Sequence, residues 1–292
     1  LGGLFQTGQK QTRGRVVLTS TSYTGDEQNP DAMSAYTYDI LGNVPELYRY
    51  DRLTDREEWH HFEYDFDLIT SNVNEMVYQR NKIDEIGYRY FYDADNRLTK
   101  SQSSTDGYIW ATEEKLFYYV SGMLSRKELG EDKVQGLDYA YTINGWYKGV
   151  NAVTLDENMD MGRDGLKTDD ATYDTYIYSD DLNANVSRDA FGFSLHFFND
   201  DYKAIGRANA TTNQTTFLTN LPSGHSNNLY NGNIGDMVVG LTKPQQAGQA
   251  QAKMATQWTS YRYDQLNRIR EMQSSTNLVY SSGTEYKDKY DW

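Results

Sequence analysis

The chain has no cysteine. That excludes disulfides, thiolate catalysis and Cys-ligated zinc, and leaves open either a reducing compartment or a large extracellular protein built without staples. Aliphatic side chains are scarce too: Leu, Ile, Val and Phe make up about 19% of the 292 residues, which with a net charge of -14 falls in the composition range of disordered chains. Dense basic clusters are missing, since 28 Lys and Arg are scattered among 42 Asp and Glu at a pI near 4.7. Nucleic-acid binding therefore lacks its usual electrostatic footprint. No run approaches the roughly 18 apolar residues of a membrane span. The opening "LGGLFQTGQKQTRGRVV" has no apolar stretch of the signal-peptide kind. A soluble chain, or a soluble piece of something larger, is expected.

Rings take the place of the missing aliphatics. The chain carries 26 Tyr, 10 Phe and 5 Trp, and each ring buries on the order of 150–250 Å² while a polar tip finds water or a partner. The expected core is aromatic, and disorder is set aside. The rings also recur in one local grammar. "YRYFYDADNRLTKSQSS" (Tyr88–Ser104) has four rings in five positions running into Asp, Ala, Asp, Asn and Arg, and the pattern returns in "AYTYDILGNV" (Ala35–Val44), "FEYDFDLITSNV" (Phe62–Val73) and "YRYDQLNRIREM" (Tyr261–Met272). Aromatic residues suit a pleated surface, while Asn and Asp tolerate turn backbones, so each copy reads as a strand feeding a tight reversal.

Aligned on an aromatic-aromatic-Asp core, Tyr38, Tyr64 and Tyr92 fall 26 and 28 residues apart. Weaker copies follow at Lys115–Leu129 and Leu137–Val150, the second with the hairpin signal Asn144-Gly145. Within "FEYDFDLI" the apolar positions Phe62, Tyr64, Phe66 and Leu68 alternate with Glu63, Asp65 and Asp67, as in a half-buried antiparallel strand. Helical stripes are absent; "QQAGQAQAKMATQW" (Gln245–Trp258) has helix-forming residues but a poor apolar face and reads as an exposed excursion. Residues 151–257 interrupt the clear repeats. Their aromatic run Phe191–Tyr202 reads as two strands about an Asn199-Asp200-Asp201 turn. The expected organisation is lead-in strands over 1–34, hairpin repeats over 35–150, an elaborated insertion of the same sheet with long loops over 151–260, and a returning repeat over 261–292.

These motifs resemble those of the RHS/YD-repeat family, whose Tyr-Asp pair precedes a Gly-Asn or Asn-Arg turn. Tyr38-Asp39 with Gly42-Asn43, Tyr92-Asp93 with Asn96-Arg97 and Tyr263-Asp264 with Asn267-Arg268 fit that pattern, and longer strings such as "FYYVSGMLSRKELGEDKVQGLDYAYTINGWYKGVN" and "RDAFGFSL" resemble a bacterial branch. The resemblance covers most of Ala35–Met272. It implies an all-β fold of antiparallel β-hairpin repeats forming a spiralling sheet, part of an RHS-type hollow shell. It also implies a large secreted or cell-surface bacterial protein whose partners are the rest of its shell, an enclosed C-terminal domain, commonly toxic, and secretion machinery. The family's conserved core segment, which closes the shell and in many members cleaves the cargo through carboxylate chemistry, is not recognisable here. The N-terminal secretion and anchoring modules are missing as well, so a middle section of a shell is expected, with open strand edges that need their neighbours.

Candidate sites are weighed against this structural role. The expected repeat-core residues are Tyr38, Asp39, Gly42, Asn43, Tyr64, Asp65, Tyr92, Asp93, Asn96, Arg97, Tyr141, Gly145, Tyr263, Asp264, Asn267 and Arg268, the five tyrosines being expected to be largely buried and equivalent. Asp156, Asn158, Asp160 and Asp164 alternate so that their oxygens can converge on calcium, but Met161 replaces the glycine and Lys167 the bidentate Glu of an EF-hand. A solvated acidic loop without cofactor is favoured. His60, His61, His196 and His225 show no metal-ligand spacing and no G-x-S-x-G partner. His60 and His61, as strand neighbours, point to opposite faces. Carboxylate pairs such as Asp65 and Asp67 more often form the wet face of a sheet than a glycosidase site, and no enzyme is expected. The alternative function is cell-surface adhesion or carbohydrate binding by exposed aromatic rings, which can stack sugars.

Overall fold

Period-two alternation broken by turn residues leaves the backbone one economical solution, a run of hairpins. The computed structural model describes residues 11–23, 25, 30–52, 59–155, 159–165, 183–203, 217, 228–243, 254 and 256–275, with the backbone of 276 and 286–291. Among the described residues all regular structure is strand. The elements are β1 (Leu18–Thr21), β2 (Ala32–Tyr36), β3 (Glu46–Asp51), β4 (Trp59–Phe66), β5 (Val73–Tyr78), β6 (Ile86–Tyr92), β7 (Leu98–Ser104) and β8 (Ala111–Tyr118). They continue as β9 (Leu124–Leu129), β10 (Gln135–Tyr141), β11 (Tyr147–Val150), β12 (Phe191–His196), β13 (Asp236–Leu241), β14 (Gln257–Tyr263), β15 (Ile269–Thr276) and β16 (Tyr286–Asp291). The all-β antiparallel expectation holds.

The chain falls into two units, Leu1–Lys115 and Leu116–Trp292. In the first, β1 to β8 each pair antiparallel with the next in sequence. In the second, β9 to β16 do the same. Four hairpins carry a register shift beside the turn: Phe66, Tyr92, Tyr141 and Tyr263 pair with Val73, Leu98, Tyr147 and Ile269, which leaves Asn74, Thr99, Lys148 and Arg270 as the extra residue on the returning strand. The extra residue is a β-bulge that re-aims the last ring of each strand.

Cores differ between the units. The first has a small cluster of Ala35 and Tyr48 with Trp59 against it. In the second, Ala140, Val238 and Trp258 of the sheet pack with Val153 and Phe217, joined by Met161 and Tyr202. Residues 151–155 therefore lie on the sheet. Gly192 and Gly240, opposite one another on β12 and β13, make that approach feasible, because a Cβ on either would collide with the Ala152 or Val153 carbonyl.

Two expectations in the insertion are corrected. Phe191–Tyr202 forms one strand, not two: β12 ends at His196, and its second partner is β13, because Asp201 turns its carboxylate onto the Phe197 N–H and onto Lys148 in place of continuing a ladder. Trp258 is not part of an exposed excursion. It lies fully buried on β14, which starts at Gln257, ahead of the Tyr261 where the pattern returns in the sequence.

Candidate functional site

Six hairpin turns share one construction. The residue after the strand's last ring donates its N–H across the loop, Asp39 to Asn43 O, Asp67 to Asn72 O, Asp93 to Arg97 O, Tyr119 to Met123 O, Thr142 to Trp146 O and Asp264 to Arg268 O. Its own carbonyl accepts from a residue with positive φ: Gly42, Ser71, Asn96, Gly122, Gly145 and Asn267 in that order. This is the turn-plus-left-handed-residue loop of hairpins, and it explains why Gly or Asn recurs there.

Where the first position is Asp, its side chain closes the loop. Asp93 Oδ1 accepts the N–H of Asp95 and Arg97 at 2.9 and 3.0 Å, while its Oδ2 takes Arg97 Nε at 2.8 Å. Asp264 repeats the arrangement with Leu266 and Arg268. Asp39 accepts Gly42 N, Asn43 N and Asn43 Nδ2 at 2.7–2.8 Å. Hydrogen bonds hold the acid forms off: the Arg97 side chain lowers the pKa of Asp93, the Arg268 N–H and side chain that of Asp264. At Asp39 burial opposes the shift, and the Asn43 and Gly42 donors outweigh it.

The second turn changes the alignment read from sequence. Phe66-Asp67, not Tyr64-Asp65, stands at the bulge and the loop entry. Asp67 Oδ1 accepts Ile69 N, Thr70 N and Thr70 Oγ1 at 3.0, 2.7 and 2.9 Å. Tyr64 lies two residues upstream, opposite Met76, and Asp65 is exposed. Asn72 comes five residues after Asp67, where Asn43 and Arg97 come four after theirs, and this longer loop hides the correct register.

The tyrosines do less as core than expected and more as fasteners. Tyr38, Tyr64, Tyr92, Tyr141 and Tyr263 are all half-buried. Three of them, each directly before its Asp, donate the hydroxyl to a backbone carbonyl near the start of the neighbouring strand: Tyr38 to Val16 O at 2.7 Å, Tyr92 to Val73 O at 2.9 Å, Tyr263 to Ile234 O at 2.9 Å. Phe66 has no hydroxyl for this. Tyr141 instead packs against the rings of Tyr147 and Tyr119, 4.9 and 6.4 Å between centroids. Burial pushes the Tyr92 and Tyr263 hydroxyls up, so both stay protonated as donors.

Asparagines link one turn to the next. Asn43 Nδ2 donates to Ser71 Oγ at 3.2 Å, Asn72 Nδ2 to Asn96 Oδ1 at 3.3 Å, and Asn231 and Asn233 Nδ2 to Asn267 Oδ1 at 3.0 Å. The acceptor is each time the positive-φ residue. Ser71, Asn72, Asn231 and Asn233 were missed from sequence, since nothing local reveals a partner 24 to 36 residues away.

The second unit adds a charged interior. Arg126 of β9 donates to Asp138 at 2.5 Å and Asp164 at 2.6 Å and lies 3.4 Å from Glu128. Lys148, fully buried on β11, bonds Asp201 at 2.6 Å; burial pushes its pKa down against the pull of Asp201. Of the calcium candidates, Asp156 and Asn158 lie outside the described residues. Asp160 caps its own loop through Gly162 N and Asp164 N, and Asp164 faces Arg126, so the two described members spend these oxygens on protein donors. On the opposite face Leu137, Tyr139, Tyr147, Phe191, Phe193 and Leu195 line an apolar groove of about 410 Å³. His60 and His61 do face apart, His60 to the Tyr78 hydroxyl and His61 stacked on Tyr48 at 4.0 Å. His225 lies outside the described residues.

No family model and no curated protein matches the sequence. Among solved structures, the chain is similar to TcdB2-TccC3 with Cdc42 (12% identity, 94% of this chain, TM-score 0.46) and to TcdB2-TccC3 without its hypervariable C-terminal region (11% identity, 91% of this chain, TM-score 0.47). It is also similar to the Photorhabdus luminescens Tc holotoxin pore (10% identity, 88% of this chain, TM-score 0.42). In each case it spans 12% of the matched chain.

Proposed function

We propose that the chain is a structural wall segment of an RHS-type shell in a large exported or cell-surface bacterial protein, scaffolding or enclosing a cargo domain and performing no catalysis itself. The observation that carries this reading is the fastening of successive turns. Asp locks four of the six loops, Tyr hydroxyls bond the adjoining strand, and Asn side chains bond the adjoining turn, so the repeat motif is spent on continuity between hairpins and not on a ligand. The Tyr-Asp resemblance supplies the shell and the cargo. A continuous hydrogen-bonded sheet excludes solvent and proteases from what it covers. Limited proteolysis of the full-length protein tests the proposal. Any domain beyond this segment is expected to resist cleavage until the Tyr and Asp fasteners are removed together; cleavage at the same rate with the fasteners intact overturns it.

The runner-up is adhesion or sugar binding. It is favoured by rings that stand out of the sheet, such as Tyr108 at 89% and Tyr230 at 70% exposure. A glycan array separates the two, since a wall segment shows no saturable binding.

A further inference from the structure

Where residues 159–165 and 183–190 lie on β9 and β10, carboxyls outnumber their cations. Glu128 of β9, Asp138 of β10, Asp160 and Asp164 of loop 159–165, and Asp189 ahead of β12 gather around one buried guanidinium, Arg126. Lys133 reaches Glu128 at 3.3 Å, and the Arg188 side chain lies across Gly165. Arg126 is committed to Glu128, Asp138 and Asp164. Among the described residues, Asp189 receives only the Gln135 amide, 3.1 Å from Oδ1. Its Oδ2 and Asp164 Oδ2 have no hydrogen-bond partner among the described residues, although Asp189 is 8% and Asp164 1% exposed. A buried carboxylate without donors is costly, and the cheapest relief is a proton.

The same groups hold the chain down. Asp164 ties loop 159–165 to Arg126, Asn183 Nδ2 bonds Gly162 O at 2.7 Å, and Ser187 N bonds Lys133 O at 3.1 Å. Gln135 reaches both Asp189 and Ala190 N. Any repulsion among these carboxylates therefore acts directly on the contacts between the crossing segments and the sheet.

We propose that this cluster is a proton-dependent clasp: a proton shared by its carboxyls keeps residues 159–165 and 183–190 on β9 and β10, and loss of that proton in alkali loosens them. Burial, reinforced by Asp160, Asp164 and Asp138 and opposed by Arg126, pushes Asp189 up to about 9, and burial lifts Asp164 to about 7 despite Arg126. A carboxyl whose folded pKa is raised stabilises the fold fully below its unfolded value near 4. That stabilisation is lost progressively as pH rises from there to the folded values, so the clasp slackens from about pH 4 upward and is fully loosened above about pH 9.

Hydrogen exchange read by mass spectrometry on the whole chain, corrected for base catalysis, tests the clasp. In the parent protein, protection of 159–165 and 183–190 is expected to fall at least tenfold from pH 6 to pH 10, while β4–β7 stays flat. Asp189→Asn, a neutral mimic of the protonated acid, is expected to keep protection across that range. Protection independent of pH in the parent, an equal fall in D189N, or a fall reversed by added calcium at fixed pH overturns the proposal. Should D189N not fold, infrared spectroscopy of the parent decides: a protonated-carboxyl band at pH 7 that titrates away by pH 10 is expected, and its absence overturns the clasp.

Discussion

In Leu1–Lys115 the aspartates that matter stand at the turns, in reach of water, each with two or three donors; in Leu116–Trp292 a second set meets where residues 159–165 and 183–190 lie on β9 and β10, short of donors. One residue type thus behaves in opposite ways. Hydrogen bonds hold Asp39, Asp67 and Asp93 below the ordinary value, while burial lifts Asp138, Asp164 and Asp189 above it. What differs is the supply of N–H groups. A loop that folds back on its own carboxylate supplies them at once, whereas Asp138, facing out of a strand whose N–H groups point along the ladder, and Asp164 depend on Arg126, and Asp189 on Gln135. The first unit is therefore fastened along its turns, while the second repeats that device at Asp264 and adds fastening through its covered face.

Removing the central cation should break the comparison hardest. Arg126→Ala leaves several buried carboxylates uncompensated and is expected to cost about 3–5 kcal/mol, seen as lost exchange protection in β9–β13. Arg97→Ala, with a half-exposed side chain at a turn, is expected to change melting far less. Next comes Trp258→Ala, which empties the fully buried indole site of the second core and is expected to cost about 3–5 kcal/mol in denaturant unfolding. Tyr92→Phe keeps the half-buried ring and loses only the hydroxyl bond to Val73, a cost of about 0.5–1.5 kcal/mol.

Acid sharpens the contrast from the other side. The turn aspartates have folded pKa values below the ordinary aspartate value near 4, so the stability they supply is present above that pH and is lost as pH falls through their folded values. Exchange at the amides of Arg97 and Arg268, which donate to those carboxylates, is expected to rise below about pH 4, where the covered carboxyls are already protonated and change nothing. The smallest test concerns register: Asp67→Ala is expected to lower the melting temperature more than Asp65→Ala, because only Asp67 holds a loop. Equal effects would restore the alignment on Tyr64-Asp65.

Much of this was legible from local pattern. The alternation of "FEYDFDLI" gives strands, the Asp-to-Gly or Asp-to-Asn spacing gives turns with one left-handed residue, and adjacent His60 and His61 must face apart. Each depends on neighbours within a few residues. The second repeat misled because both Tyr64-Asp65 and Phe66-Asp67 satisfy an aromatic-Asp rule. Only the bulge at Asn74, which pairs Phe66 with Val73, and the loop bonds of Asp67 separate them.

By itself the sequence determined an all-β chain of antiparallel hairpins with aromatic strand ends and Asp-closed turns, because backbone sterics and side-chain alternation act over short separations. Only the tertiary structure decided what those residues fasten: which carbonyl a Tyr hydroxyl reaches, which turn an Asn bridges, and that Asp138, Asp164 and Asp189 meet around Arg126. Those partners lie from 12 to more than 50 residues apart, as Arg126 and Asp138 or Gln135 and Asp189 do. The physical reason is that charge and hydrogen bonding depend on distance through space and on burial, and composition records neither.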